Sequence, residues 1–548
     1  MTHTVRRLWV ALAKQLWVGK VLFGSRMITL MRPDKYFGMA RVLRTQGTHA
    51  TSGFALAAVR DPGGVGLIDD RGSVTWAEIQ VRAGALGAGL LAAHGGPLES
   101  VAVLARNHRG FIDALLAGTR VGANTLLLNT GFSGPQLADV MEREGARVIV
   151  YDEEFAEVIA DARARVDDLV EILAWTDTDT VTDIGTDLLT TDGLIAQHRD
   201  SPAPHASVPG RVVLLTSGTT GAPKGARRSG GGPDELAGML EAIPWRGGET
   251  VVVAAPMFHA WGFGQLVIGA TMTCTVVMRR RFGPEATLAL VDEHGATGLS
   301  VVPVMLERIM DLPADVLDRH SLRSLRFVSA SGSRMRPDSV TRFMDRYGDV
   351  LHNSYNATEA GQISVAGPAD LRQSPDAAGR AVRGTLIRIV DDEGRALEPD
   401  DVGRIVVRGS SPFDGYTSGA TKDFVEDFMV TGDVGRIDSA GLLHVLGRDD
   451  DMIVSGGENV YPIEVEKVLG AHDAVREVVV VGVPDEAFGQ RLAAYVVPNG
   501  EVDAGTLTQL VRANLAGYKV PRDVLFLDEL PRNASGKVMV RELPEATP

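Results

Sequence analysis

The 548-residue chain has one cysteine, Cys274. It can hold no internal disulfide and no zinc or iron–sulfur site built from clustered thiolates, which fits a reducing compartment. Lysine is scarce, eight residues against 47 arginines. Positive charge is short overall: Lys+Arg is 55 against 70 Asp+Glu, a net charge of -15. That balance excludes general nucleic-acid binding, because phosphate backbones draw basic proteins. No uninterrupted apolar run reaches the ~18–20 residues that a spanning helix needs. The apolar stretch after Arg6-Arg7 is broken by Lys14, and no small-residue cleavage site follows, so a secretory signal is not expected. Internal repeats and long low-complexity tracts are absent.

The composition itself, 45% apolar and 23% charged, is that of a folded globular protein. At ~100–200 residues per domain the length implies several units. Charge is unevenly placed. Residues 1–33 contain Arg6, Arg7, Lys14, Lys20, Arg26 and Arg32 and no acid, a local +6 that leaves -21 on the rest. Leu8, Leu12 and Leu16 recur every fourth residue, one face of a helix. Two readings stay open for this segment: an amphipathic helix on an anionic membrane surface, or a helix packed on the protein's own body.

From about residue 50, short β-rich apolar runs alternate with helical stretches, as in SVAVLARN followed by GFIDALLAGTRVGA. This pattern predicts parallel α/β layers. Strands dominate residues 380–447, separated by Gly and Asp turns, and the last hundred residues read as a compact α+β unit. The expected fold is α/β: a large multi-subdomain N-terminal domain with parallel-rich sheets and a strand-rich subdomain, plus a small mobile α+β C-terminal domain.

The strand signal at Leu214-Leu215 runs into Thr216-Ser217-Gly218-Thr219-Thr220-Gly221-Ala222-Pro223-Lys224-Gly225. Glycines let successive backbone N–H groups face an anion, the hydroxyls add donors and Lys224 adds charge. The combination suits a polyphosphate. It lacks the Gly-Lys-Ser/Thr spacing of a Walker A loop.

This loop resembles the signature of the adenylate-forming superfamily, which includes acyl-CoA synthetases. Further motifs follow in the family's order: PMFHAWGF at Pro256–Phe263, YNATE at Tyr355–Glu359, TGDVGRID at Thr431–Asp438, GRDDDMIVSGGENVYPIEVE at Gly447–Glu466 and LPRNASGKV at Leu530–Val538. The resemblance covers roughly residues 50–545. It implies a large ATP- and acyl-binding domain over 50–449 and a mobile domain over 450–548, and leaves a basic amphipathic extension over 1–49 unexplained.

Such enzymes displace pyrophosphate from ATP with a carboxylate and pass the acyl-adenylate to a thiol. The difficulty is to bring one anion onto another, so fixed positive charge and donors must offset repulsion. By resemblance, Lys537 reaches the carboxylate and α-phosphate during adenylation. Glu359 holds Mg²⁺, a hard cation suited to carboxylate and phosphate oxygens. Thr358 bonds a phosphate oxygen, and Tyr355 stacks on adenine beside Asn353. The family commonly has glycine after this tyrosine. Here Asn356 stands there, and since Asn tolerates left-handed backbone the turn is expected to survive. Asp433 and Arg448 are expected at the ribose hydroxyls. Ser331, Gly332 and Ser333 match the short loop that lines adenine and the acyl pocket, with His259, Phe263, Ala330 and Gly332 as pocket candidates. His259 is also a candidate for the acyl carboxylate, although a packed histidine remains a live reading. Asp450 aligns with the hinge about which the small domain turns, replacing Lys537 by Ser455, Gly456 and Gly457 at the thiol channel.

The expected activity is ATP-dependent conversion of a fatty acid, of medium to long chain, through acyl-AMP to acyl-CoA. Two observations motivate the chain length: the basic amphipathic N-terminus, and the lack of an acidic residue suited to a substrate amine. The alternatives are an aryl or short-chain acid–CoA ligase, an acyl-AMP ligase serving a carrier protein, and a non-catalytic nucleotide-binding relative at a membrane. No insertion interrupts the strand-rich region and no carrier domain follows Val538, which favours CoA as acceptor. The expected ligands are ATP, Mg²⁺, coenzyme A and the acid. The expected location is cytoplasmic, with peripheral contact at the inner membrane face through residues 1–33, and a homodimer is left open.

Overall fold

A computed structural model describes all residues except 1–2, 178–187, 217–223, 229–231, 410–412, 417–420, 456–457, 486–488, 534–535 and 547–548. By contact density the chain forms two compact units: 1–375 with 382–384 and 409–421, and 376–381 with 385–408 and 422–548. The architecture is the expected α/β one.

The first unit contains two parallel-rich sheets. Within this unit one sheet runs in the order 361–366, 351–357, 327–331, 298–301, 250–253, 275–277, 65–69, 72–75, parallel from 351–357 across to 65–69. The other is eight-stranded, in the order 413–416, 224–228, 212–216, 124–127, 100–104, 146–152, 170–175, 189–190. Its neighbours are parallel from 212–216 onward, and only 224–228 and 413–416 are antiparallel. Strands Ser100–Leu104, Gly298–Val301 and Phe327–Ser331 are buried at every position. Burial on both faces is why none of them alternates apolar with charged residues, their only polar side chains being serines.

Helix Arg109–Val121 shows how local chemistry fixes an element. Its N-cap, His108, accepts the Gly110 N–H at Nδ1, and Gly122 ends it in the left-handed region at φ 89°. Because Nδ1 accepts, Nε2 carries the hydrogen and donates to Asp152 at 2.7 Å, both side chains fully buried.

The basic N-terminus forms helix His3–Gly24. Trp17, Val18, Val21 and Leu22 join a cluster with Ala237 and Leu240 of helix Pro233–Ala242. Lys14 pairs with Asp234 at 2.5 Å, Trp17 Nε1 donates to Glu241 at 3.1 Å, and the Arg383 guanidinium lies 4.2 Å from the Trp17 ring centre. One face of this helix is therefore packed on the protein's own body. Among the described residues no helix is long and apolar enough to cross a membrane.

In the second unit, strands 386–390, 403–408, 428–437 and 443–448 form an antiparallel sheet. A second sheet, of 458–460, 453–455, 489–498, 475–485 and 523–526, is covered by helices Pro462–Gly470 and Ala504–Asn514.

Candidate active site

In the first unit the glycine-hydroxyl loop joins two antiparallel strands. Val212–Thr216 pairs with Lys224–Arg228 in the register Leu214↔Ala226, Leu215↔Gly225, Thr216↔Lys224. The backbone of Lys224 is thus placed across from Thr216. Ser217, Gly218, Thr219, Thr220 and Gly221 lie outside the described residues.

Strand Leu351–Ala357 carries Asn353, Tyr355 and Asn356, and it lies parallel to Phe327–Ser331 with Ala330↔Asn353 and Ser331↔Ser354 in register. The motif residues Ser331 and Asn356, 25 positions apart, touch: Asn356 Nδ2 donates to Ser331 Oγ at 2.9 Å. Asn356 does not adopt the left-handed conformation expected of it. Left-handed non-glycine residues occur elsewhere, while Asn356 stays in the strand, where a β-bulge falls between it and Tyr355. The bulge supplies the local bend, so no positive φ is required there. The left-handed positions are Gly332, at φ 111°, and Gly361, at φ 74°.

Thr358 and Glu359 occupy the turn between strands 351–357 and 361–366, closed by the Ala360 N–H on the Ala357 carbonyl at 3.1 Å. A three-residue loop followed by a left-handed glycine, here Gly361, is a common hairpin connection. The Tyr416 hydroxyl donates to Glu359 Oε1 at 2.5 Å. Tyr416 belongs to strand Phe413–Tyr416, which pairs with 224–228 through Tyr416↔Ala226. One hydrogen bond thus fastens the Glu359 turn to the sheet that bears the glycine-hydroxyl loop. No sequence motif pointed to Tyr416.

Glu359 fits Mg²⁺ in the manner of a nucleotide-borne ion. Among the described residues no group of three or more His, Cys, Asp or Glu could hold a metal by themselves. A single carboxylate suits Mg²⁺ when phosphates and water complete its shell. Glu359 would be that carboxylate, and the ion would supply charge neutralisation at the phosphates.

His259 is the N-cap residue of helix Ala260–Thr271, its ring tilted 46° against Phe258 at 4.5 Å. Phe263 is buried, with its N–H on the His259 carbonyl at 2.9 Å, and Ala330 is fully buried. The segment before His259 is clamped by Asn107, which sequence reading missed. Its Nδ2 donates to the Ala255 carbonyl at 2.9 Å, and its Oδ1 accepts the Met257 N–H at 2.9 Å. Gln265, on the same helix, joins Ser300 and Ser329 in a buried polar cluster, with Oε1 accepting from Ser300 at 3.0 Å and Ser329 at 3.3 Å.

The remaining candidates lie in the second unit. Asp433 and Arg448 are register partners on neighbouring strands, with Arg448 Nε 3.5 Å from Asp433 Oδ1. Gly432 stands at φ 85°, and a Cβ there would lie 3.1 Å from Arg448 Nη2. The Thr-Gly-Asp order thus reflects both a left-handed backbone and the room that the arginine takes. Asp450 lies in the short 3₁₀ turn Asp449–Asp451. Ser455 ends strand Ile453–Ser455, paired with Glu458, while Gly456 and Gly457 lie outside the described residues.

Lys537 is exposed beside a tight turn. The Gly536 N–H bonds the Asn533 carbonyl at 2.9 Å, the Lys537 N–H bonds Asn533 Oδ1 at 3.0 Å, and Gly536 is left-handed at φ 82°. Arg532 braces the turn, donating to the Gly536 carbonyl at 2.6 Å and pairing with Glu477 at 2.7 Å. Among the described residues the Lys537 ammonium has no ion-pair partner.

Parallel α/β sheets, a hydroxyl-rich sequence between strands 212–216 and 224–228, and a carboxylate bonded to that same sheet point to a nucleotide-using enzyme class. The chain belongs to the AMP-binding enzyme family, whose profile matches residues 54–417, and the family's C-terminal domain profile matches 464–537. It is similar to a feruloyl-CoA synthase of an Amycolatopsis species, 32% identical over 86% of this chain and 93% of that protein. It is also similar to the indoleacetate–CoA ligase of Aromatoleum aromaticum, 33% identical over 80% and 86% of the two chains. Among solved structures, o-succinylbenzoate CoA synthetase from Bacillus subtilis, in complex with its acyl-adenylate intermediate, superposes with a TM-score of 0.75. That pair is 28% identical over 90% of this chain and 98% of the other.

Proposed function

We propose that the chain is an acid–CoA ligase that activates an aryl or arylalkanoic acid through its adenylate. The observation that carries the reaction class is the Tyr416–Glu359 bond, which ties the expected Mg²⁺ carboxylate to the sheet holding the glycine-hydroxyl loop. In this reading Thr216–Lys224 hold the polyphosphate, Glu359 and Thr358 its ion and oxygens, and Asp433 with Arg448 the ribose. Lys537 offsets the repulsion between carboxylate and α-phosphate. After adenylation the C-terminal domain, residues 450–548, turns about Asp450, and the segment around Ser455 takes the place of Lys537 so that the CoA thiol reaches the carbonyl.

Two observations favour an aryl acid over the fatty acid expected from sequence. Relatives of about one-third identity carry the names of aromatic-acid CoA ligases. The region around the pocket candidates is also rich in polar side chains: Ser331 with Asn356, Ser354 with Gln362, and the buried Gln265–Ser300–Ser329 cluster. Among the described residues Asn356 Oδ1 and Gln362 Oε1 are buried with no hydrogen-bond partner, which an alkyl chain would leave so, whereas a substituted aromatic acid brings polar atoms of its own. The fatty-acid reading is kept second on one observation, the apolar side chains exposed on the N-terminal segment.

The test is pyrophosphate release with cinnamic, arylacetic, benzoic and C8–C16 aliphatic acids, with and without CoA, and mass detection of the thioester. Aryl acids turned over to CoA thioesters are the expected result. Preference for aliphatic acids installs the second reading. Adenylate without CoA thioester, converted only by a carrier protein, replaces the acceptor, and no pyrophosphate with any acid refutes catalysis.

A further inference from the structure

Large apolar side chains exposed to solvent are concentrated in one stretch of the chain. Of the 17 among the described residues, eight fall within residues 12–43. Scattered single exposures are ordinary, but a concentration marks a contact surface. On helix His3–Gly24 the packed face carries Trp17, Val18, Val21 and Leu22. Leu12, Leu16 and Phe23, at spacings of four and seven, share the opposite face and are 50%, 66% and 65% exposed. Lys20 follows Leu16 by four residues, beside the same face.

The following segment repeats the arrangement. Leu30 is 95% exposed. Helix Pro33–Gln46 buries none of its residues. It is nevertheless tied down: Lys35 Nζ donates to the Val59 carbonyl at 2.8 Å, and a Cβ on Gly38 would lie 2.7 Å from Val59. Phe37 remains 78% exposed, and Arg41 and Arg44, four and seven residues on, share its face.

Residues 1–49 hold nine Lys and Arg and one acid, Asp34, a charge of +8, which leaves -23 on the rest of the chain. A second copy docking face to face would bring +8 against +8. Apolar side chains set among cations, on helices fixed to an acidic body, instead suit the boundary of an anionic bilayer. We infer that the exposed apolar and basic side chains of residues 12–44 seat the chain peripherally on an anionic phospholipid surface. Helix His3–Gly24 is pinned to the body by one face and meets the headgroup layer with the other. Both sequence readings of the N-terminus then hold at once, on opposite sides of one helix.

The test is co-sedimentation of the full chain with vesicles of phosphatidylcholine alone and of phosphatidylcholine with one-third phosphatidylglycerol. Binding to the anionic vesicles is expected to exceed binding to the neutral ones at least tenfold, and to fall when salt shortens the screening length from about 10 Å at 0.1 M to about 3 Å at 1 M. The triple variant Leu16→Glu, Phe23→Glu, Phe37→Glu should lose binding at least tenfold with pyrophosphate release in solution unchanged. If it does not fold, the charge-only variant Lys20→Glu, Arg41→Glu, Arg44→Glu should lose the preference for anionic vesicles. Equal binding to both vesicle types, or none, overturns the inference. So does concentration-dependent self-association that either variant abolishes, which would make the face an interface between copies.

Discussion

Replacing Tyr416 by phenylalanine removes one hydroxyl and leaves the ring. In the structure that hydroxyl donates to Glu359 Oε1 at 2.5 Å. A hydrogen bond to a charged group contributes about 1.5–3 kcal/mol. At about 1.4 kcal/mol per factor of ten, its loss corresponds to roughly ten- to 150-fold in kcat/KM for adenylation, if Glu359 must be held in place in the transition state. The lower end is expected, because Tyr416↔Ala226 pairing keeps the backbone in place and water can enter where the hydroxyl was. The assay is pyrophosphate release titrated with Mg²⁺ at saturating acid. A roughly tenfold lower kcat/KM with a raised Mg²⁺ midpoint is the positioning signature. The ring is retained, so thermal stability should change by no more than about 1–2 kcal/mol. An unchanged rate at every Mg²⁺ concentration refutes the role. A faster rate at low Mg²⁺ refutes it differently, by showing that the tyrosine competes with the ion for the carboxylate.

Lys537→Ala should abolish adenylation while sparing thioester formation from supplied acyl-AMP, and Lys537→Arg should recover only part of it; parallel loss of both half-reactions in the alanine variant contradicts the assignment. Gly432→Ala forces a side chain into left-handed backbone at a cost of about 1–2 kcal/mol and crowds Arg448, so a lower melting temperature and a raised KM for ATP are expected together. Cys274 is fully buried and burial pushes its thiol up to about 12, so a thiol reagent should find nothing in the native chain and one equivalent after denaturation. The Glu171 carboxyl is held below its ordinary value chiefly by hydrogen bonds from Arg163, opposed by burial and helped by Tyr151. Its folded value lies below the unfolded one near about 4.3, so this stabilisation is complete above that pH and lost as pH falls through the folded value; Glu171→Gln should flatten the acid limb of denaturant midpoints against pH.

The elements were legible where burial on both faces goes with a mostly apolar sequence. SVAVL and GLSV read as strands because they are short, mostly apolar and carry no charge, while FVSAS, with two serines in five residues, gave no such signal. The motif residues Ser331 and Asn356 were legible as residues, but their mutual bond was not, since it is made only when two parallel strands set Ser331 beside Ser354. The same holds for the bulge that spares Asn356 a left-handed backbone. Tyr416 sits 57 positions from Glu359 and Asn107 sits 150 from Met257. Neither has a local pattern, because their roles exist only through contacts between segments far apart in sequence. The N-terminal helix was legible as a helix with two open readings. Its basic and apolar periodicity was visible, but periodicity alone does not say which face is covered, and the apolar positions here run nearly all round.

Lysine's scarcity bears on how an acidic chain handles ATP. Arginine does most of the ion pairing, often as a fork on carboxylates, as Arg82 does on Asp113 and Arg163 on Glu171. Of the eight lysines, Lys14, Lys35, Lys422, Lys467 and Lys519 are engaged by carboxylates or carbonyls. Lys537 stands exposed on a braced turn with its ammonium unpaired among the described residues. A planar guanidinium at that position, in a protein with 70 acidic residues, would be prone to capture by a surface carboxylate. An ammonium on a flexible stem is a point charge that binds no one partner in a fixed geometry. That suits the role proposed for Lys537, which is to meet two anions in one half-reaction and leave for the next. Bonds from Asn533 and Arg532 hold the backbone at Gly536 and Lys537, so the stem of the charge is placed while its tip stays adaptable.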